Sequence, residues 1–212
     1  MFLLHVCYFP LMTNKIEQVR LGDIAVVRSG LVLSRKLAHE ASDNQYPLLN
    51  LRSINPDGYI DLKQTDVFYA SEQLSAEYLS QNGDVIIRMS MPYTAVLIDE
   101  ATAGIVISSN FVIIRCERRM ILPEYLFWLI NRPSVKHAIY ESTSSNMLAA
   151  VKAKTFSDFL IELPAIAVQH RIAAMNALAI KETQLLCRLA TEKERYYHQL
   201  IENIYEEIMR GQ

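Results

Sequence analysis

Leu163-Pro164-Ala165-Ile166-Ala167-Val168-Gln169-His170-Arg171-Ile172 marks the point where the sequence changes character. Beyond it, residues 166–210 contain neither Pro nor Gly and are rich in Ala, Leu, Ile, Glu, Gln and Arg. Good helix formers without a breaker predict one continuous helix of about 65 Å. Its apolar residues Ile172, Met175, Ala179, Leu186, Leu189, Tyr197, Ile201, Ile204 and Ile208 recur mostly every three or four positions. Glu182 and Lys193 interrupt the stripe, with one stutter near Lys193. A helix of this length exposes such a stripe unless something covers it: a second copy, another subunit, or the flank of its own domain.

Upstream of the junction the reading is mixed α and β. Runs rich in Val, Ile, Phe and Tyr predict strands over 46–54, 84–89, 94–98, 105–116 and 159–163. Between Ile54 and Ile60, Asn55-Pro56-Asp57-Gly58-Tyr59 predicts a hairpin, because Pro presets a turn φ and Gly supplies a left-handed residue. Helices are predicted over 71–81, closed by Asn82-Gly83, and over 123–131, opened by Pro123. Pro133 begins a further short helix or kinks the previous one, and residues 142–146 read as a polar loop. The expected class is α+β: a mixed globular domain over 13–165 followed by one long C-terminal coiled-coil helix over 166–212.

The chain has 212 residues, 51% hydrophobic and 21% charged, with a net charge of −2. That balance supports a packed core and excludes an intrinsically disordered chain. Residues 13–165 hold 15 Lys or Arg against 17 Asp or Glu, and the helix holds six of each, so neither segment is a basic block. Cys7, Cys116 and Cys187 are too few and too scattered for a disulfide framework, which fits a reducing, cytoplasmic setting. The apolar stretch over 1–12 is shorter than the ~20 residues of a membrane span. It also lacks a basic start and a cleavage site, and is read as an N-terminal extension ahead of Met12-Thr13-Asn14-Lys15.

Motifs for bond chemistry are missing. Asp57, Asp61 and Lys63 imitate a nuclease carboxylate set, but a Gly turn separates the carboxylates and an exposed hairpin explains them better. The sequence contains no phosphate-binding Gly-rich loop, dinucleotide fingerprint or serine elbow, and Asn131-Arg132-Pro133-Ser134 lacks the aromatic of an amino-methyltransferase motif. The five histidines, His5, His39, His137, His170 and His198, show no paired ligand spacing, so no metal site is expected. Binding is the expected class of function.

Several segments, taken in order, carry a resemblance. They are Val19-Arg20-Leu21-Gly22-Asp23-Ile24, Arg28-Ser29-Gly30, the run from Leu49-Asn50-Leu51-Arg52-Ser53 to Gly58-Tyr59-Ile60-Asp61, and Asn82-Gly83-Asp84-Val85-Ile86-Ile87-Arg88. Ser109-Asn110-Phe111, Pro123-Glu124-Tyr125-Leu126-Phe127-Trp128-Leu129 and the junction at Leu163-Pro164 with Gln169 and Ile172 complete the series. From about Thr13 to the C-terminus the chain resembles the specificity (S) subunits of type I restriction-modification systems, with one target recognition domain and one helix where full-length members carry two of each. The resemblance implies a non-catalytic subunit without cofactor, bound to double-stranded DNA and to the methyltransferase and restriction subunits of its system. The chain's half length implies head-to-tail or two-fold pairing of two copies, with a homodimer expected, or a truncated gene product; a symmetric pair reads a two-part palindromic site. The alternative is an oligomerisation or scaffold protein whose globular domain binds another protein.

Phosphate contacts call for Lys, Arg or small polar groups, and base reading favours Arg, Asn or Gln. The candidate DNA contacts are Arg28, Arg35, Lys36, Arg52, Arg88, Lys152 and Lys154, with Arg118-Arg119 and Ser144-Ser145-Asn146 ranked below them. The dense apolar run around Trp128 is assigned to packing rather than to base stacking. Ile172, Met175, Leu186, Leu189, Tyr197, Ile201, Ile204 and Ile208, flanked by Tyr196 and Leu200, are the candidate helix interface.

Overall fold

The computed structural model describes residues 16–38, 42–144 and 153–210. The N-terminal extension, His39, Ser145, Asn146 and Lys152 lie outside the described residues. The chain divides between His170 and Arg171 into a globular unit and a helical one.

In the globular unit, β1 (Glu17–Arg20), α1 (Leu21–Ile24) and β2 (Ala25–Ser29) lead to β3 (Gln45–Leu49) and β4 (Asp66–Tyr69). Next come β5 (Asp84–Arg88), β6 (Ala95–Leu97), β7 (Val106–Ile107) and β8 (Phe111–Cys116), then α2 (Pro123–Asn131), α3 (Pro133–Ser144), α4 (Ala153–Ser157) and β9 (Leu160–Leu163). A four-stranded antiparallel sheet runs β2-β8-β5-β6, and a three-stranded sheet runs β4-β3-β7 with β3 and β7 parallel. Strand β1 pairs antiparallel with β9, Glu17 opposite Leu163.

Val85-Ile86-Ile87 of β5 and Phe111-Val112-Ile113-Ile114 of β8 are continuous apolar runs because both faces of these strands are covered. Ile86, Val96, Phe111 and Ile113 of the four-stranded sheet share one core cluster with Leu49 and Ile107 of the three-stranded sheet. The expected hairpin is present: Ile54 bridges Ile60, the Asn55 amide donates to the Tyr59 carbonyl at 2.9 Å, and Gly58 takes φ +85°. Helix α2 starts at Pro123 and buries Tyr125, Leu126, Leu129 and Ile130, as its pattern predicts. Pro133 opens a separate helix that takes in the first residues of the expected loop, as far as Ser144.

Three expectations need correction. Residues 71–81 form turns and an isolated bridge from Leu79 to Val106, not a helix. Their composition favours a helix locally, but Leu74 is drawn into a core cluster with Leu31 and Phe68. The buried Ser80 hydroxyl donates to the Thr102 carbonyl at 2.7 Å and accepts the Ile105 amide at 2.9 Å, so tertiary bonds override a weak propensity. The strand expected over 105–116 splits at Ser108-Ser109-Asn110, where the Phe111 amide closes a turn on the Ser108 carbonyl at 3.1 Å. Gly30 approaches that turn so closely that a Cβ on it would lie 2.2 Å from the Ser108 oxygen. The strand expected over 46–54 ends at Leu49 because the Asn50 side chain caps a 3-10 turn, accepting from the Arg52 and Ser53 amides.

Helix α5 (Ile166–Arg210) is continuous over 45 residues. Its first turn carries Gln169, 1% exposed. The Gln169 Oε1 accepts the Leu122 amide at 2.9 Å, and its Nε2 donates to the carbonyls of Met120 and Pro164 at 3.1 and 2.9 Å. One amide thus ties the entry to α2, the exit from β9 and the start of α5. Q169A leaves these groups without partners and is expected to destabilise the globular unit by about 3 kcal/mol. Urea unfolding followed by the fluorescence of Trp128, the single tryptophan, measures the loss.

Candidate nucleic-acid interface

The candidate cations are scattered over the globular unit, and most already have an acidic neighbour. Arg28 on β2 meets Glu77 at 3.3 Å with its side chain 22% exposed, and one guanidinium nitrogen, Nη2, is buried without a hydrogen-bond partner. Burial, followed by the proximity of Arg115, lowers its pKa from the usual arginine value. Lys36 is ion-paired with Glu72, and the hydrogen bond between them raises the lysine pKa. Arg52 is ion-paired with Asp66, and Lys154 on α4 pairs with Asp158 one helical turn away at 3.0 Å. Among the described residues, no carboxylate forms an ion pair with Arg35 or Arg88. Arg35 is exposed, whereas Arg88 is half-buried with its Nε lacking a partner.

The loop that presents Arg52 is built by Asn50. Its Nδ2 donates to Asp66 Oδ2 and to the Gln64 carbonyl, both at 2.8 Å, while its Oδ1 accepts the Ser53 hydroxyl at 3.0 Å. Nearby, Asp61 caps the next 3-10 turn by accepting the Lys63 amide at 3.0 Å, and the Asp57 amide donates to Asn55 Oδ1 at 3.0 Å within the hairpin turn. Among the described residues, no group of three His, Cys, Asp or Glu side chains is placed to hold a metal ion.

Sequence reasoning missed the charge pair inside the four-stranded sheet. Asp84, 1% exposed, accepts both Nε and Nη2 of Arg115 at 2.8 Å and also the Gln81 amide at 2.9 Å. Arg115 and Asp84 face each other across β8 and β5. A bidentate pair of this kind satisfies a carboxylate that could not otherwise stay charged in a core. The signal lay in one acid and one base embedded in otherwise apolar strands. Trp128, half-buried on α2, meets Tyr125 with ring centroids 5.6 Å apart and has the Arg132 guanidinium 5.2 Å from its ring centroid.

In the helical unit the stripe is open. Met175, Leu186, Leu189, Tyr197, Ile201, Ile204 and Ile208 are between 49% and 69% exposed, and Ile172 is half-buried.

Burial pushes the Cys116 thiol from near 9 up to about 12 and the Tyr125 hydroxyl from near 10 up to about 12. Each group holds its proton in the folded protein at a pH where the unfolded chain releases it, so stability is lost as pH rises through this window. The urea midpoint is expected to be insensitive to these groups below pH 9 and to fall between pH 9 and 12, with C116A/Y125F flattening the slope. At pH 8 iodoacetamide is expected to label the exposed Cys187 and to spare Cys116 until unfolding, an outcome that peptide mass mapping checks.

No protein-family model and no curated protein matches this sequence. Solved structures do. The HsdS subunit from Thermoanaerobacter tengcongensis matches at a TM-score of 0.63 and 20% identity, over 92% of this chain and 49% of that one. A chain from a study of complex assembly and conformational transition in the type I R-M system matches at 0.61 and 20%, over 94% and 50%. The type I restriction-modification S subunit from M. genitalium matches at 0.50 and 10%, over 79% and 39%. This chain therefore has the fold of the type I restriction-modification S (HsdS) subunits and spans about half the length of the first two of these structures.

Proposed function

We propose that this chain is the DNA-recognition subunit of a type I restriction-modification complex, acting as a pair of half-length copies. The observation that carries the reading is the match along nearly the whole chain to half of an HsdS subunit. In this reading, residues 13–165 read one half of a bipartite site. Residues 166–212 join the copies and dock a methyltransferase subunit, with the restriction subunit completing the assembly. The chain itself makes and breaks no covalent bond, and its setting is the cytoplasm.

Arg35 and Arg88 supply the cations that are free for phosphates or bases. Arg28, Lys36, Arg52 and Lys154 must exchange an internal carboxylate for DNA, and Lys152 adds a further charge. With a net charge of −2, the isolated chain gains little from phosphate attraction and needs the surfaces of its partners.

Pairing through α5 is supported by the symmetry of its stripe. Ile172 and Ile204, Met175 and Ile201, Ala179 and Tyr197, and Leu186 and Ala190 lie at equal distances from Arg188. An antiparallel second copy therefore sets apolar residues opposite one another and matches small with large in the last two layers. Charge agrees: residues 171–191 carry three basic and one acidic side chain, and residues 192–212 three basic and five acidic. Antiparallel copies bring the positive half against the negative half.

The pairing is tested with engineered cysteines in a C7S/C187S chain. M175C/I201C is expected to form covalent dimers under mild oxidation. M175C alone is not, because antiparallel copies separate those two positions by about 39 Å; efficient dimerisation of M175C alone means a parallel pair. The function is tested by mapping methylated adenines in cells with and without the gene and by co-purification with a methyltransferase subunit. Loss of one bipartite methylation pattern with the gene is the expected outcome. No change, with a different protein retained on the globular domain, favours the scaffold alternative, to which the paired state of four candidate cations lends weight.

A further inference from the structure

The β5–β6 hairpin has a tip that its own fold does not explain. Its turn is tightly held: the Tyr93 amide donates to the Ser90 carbonyl at 3.0 Å, and the Arg88 amide donates to the Thr94 carbonyl at 3.2 Å. Thr94 and the ring-bearing Tyr93 are buried. Asn131 at the end of α2 clamps the next residue, accepting the Ala95 amide at 3.1 Å and donating to its carbonyl at 3.0 Å. Tyr93 nevertheless has φ 53°, in the left-handed region that a bulky residue rarely occupies. Strain of this kind persists only where the surroundings impose it, and it concentrates at functional elements.

What this arrangement presents is Met91, 62% exposed, beside the exposed Pro92. A turn that only reverses the chain is ordinarily polar. Here a rigid support holds an apolar pair out in solvent. At the base of the same hairpin stands Arg88, which has no carboxylate partner among the described residues and whose buried Nε donor is unmatched.

We propose that Met91, backed by Pro92, is a wedge that enters a groove of the target DNA and unstacks one base step, while Arg88 binds a flanking phosphate. Apolar side chains, Met and Pro among them, are used in this way to open base steps. The unbranched thioether of Met91 adapts to the gap it opens. With no carboxylate partner among the described residues, the half-buried Arg88 takes a phosphate on its remaining guanidinium nitrogens without breaking an ion pair, which favours nucleic acid over an apolar protein surface as the occupant. The inference rests on the DNA-recognition reading above and adds to it a residue that selects sequence through the ease of unstacking.

The test uses the full chain co-purified with its methyltransferase subunit and duplexes carrying 2-aminopurine at successive positions of the mapped methylation site. Wild-type complex is expected to brighten the probe several-fold at one step. M91A, an exposed and structurally neutral change, loses that signal and binds about tenfold more weakly, and M91L keeps most of both. An unchanged signal and affinity in M91A overturns the wedge while leaving DNA recognition intact. So does a loss of methyltransferase capture by M91A in the absence of DNA, which assigns the tip to a protein contact. A wild-type complex that neither binds nor methylates DNA overturns the underlying reading together with the inference.

Discussion

The Gln169 side chain is the constraint on which the globular unit's architecture turns. It bonds the Leu122 amide and the Met120 and Pro164 carbonyls, groups from segments that share no sheet or helix. A primary amide suits this task because it offers an acceptor and two donors in one plane. Buried in the first turn of α5, it holds three backbone groups of the globular unit together. Strand pairing reinforces it, since β1 closes on β9 immediately before the helix begins.

The same economy governs the other segments that resemble the S subunits. Asn50 and Ser53 organise the loop before the hairpin, Gly83 takes φ +90°, and Asp84 anchors Arg115. Gly30 makes room for the turn at Ser108. These residues fasten loops and sheets; they are not the ones that reach outward. A likeness carried by fasteners speaks for a shared scaffold, in keeping with solved structures that match in fold at 20% identity or less. In the proposed DNA-recognition role, the target sequence is read by exposed side chains such as Arg35 and Met91.

Electrostatics sets how such a scaffold can work. Arg28, Lys36, Arg52 and Lys154 each have a carboxylate at hand, so the surface is locally neutral rather than basic. Exposed pairs of this kind are worth little to stability and are readily exchanged. In the proposed role, such a surface binds nonspecific DNA weakly and draws its affinity from the assembled complex, whereas a permanently basic surface would hold any duplex.

Much of the fold was legible in the amino-acid order because its signals are local. Pro123 and the apolar run behind it define α2, Pro-Asp-Gly defines the hairpin at Gly58, and the stretch from Ile166 to Arg210 defines α5. The stripe of α5 and its symmetry about Arg188 are likewise properties of spacing alone. Tertiary structure decided the rest. It denied 71–81 a helix, broke 105–116 at Ser108, and joined Asp84 to Arg115 across 31 residues. It also chose which candidate cations are paired. Such outcomes depend on contacts between segments remote in the chain, and local propensities of a few tenths of a kcal/mol per residue yield to them.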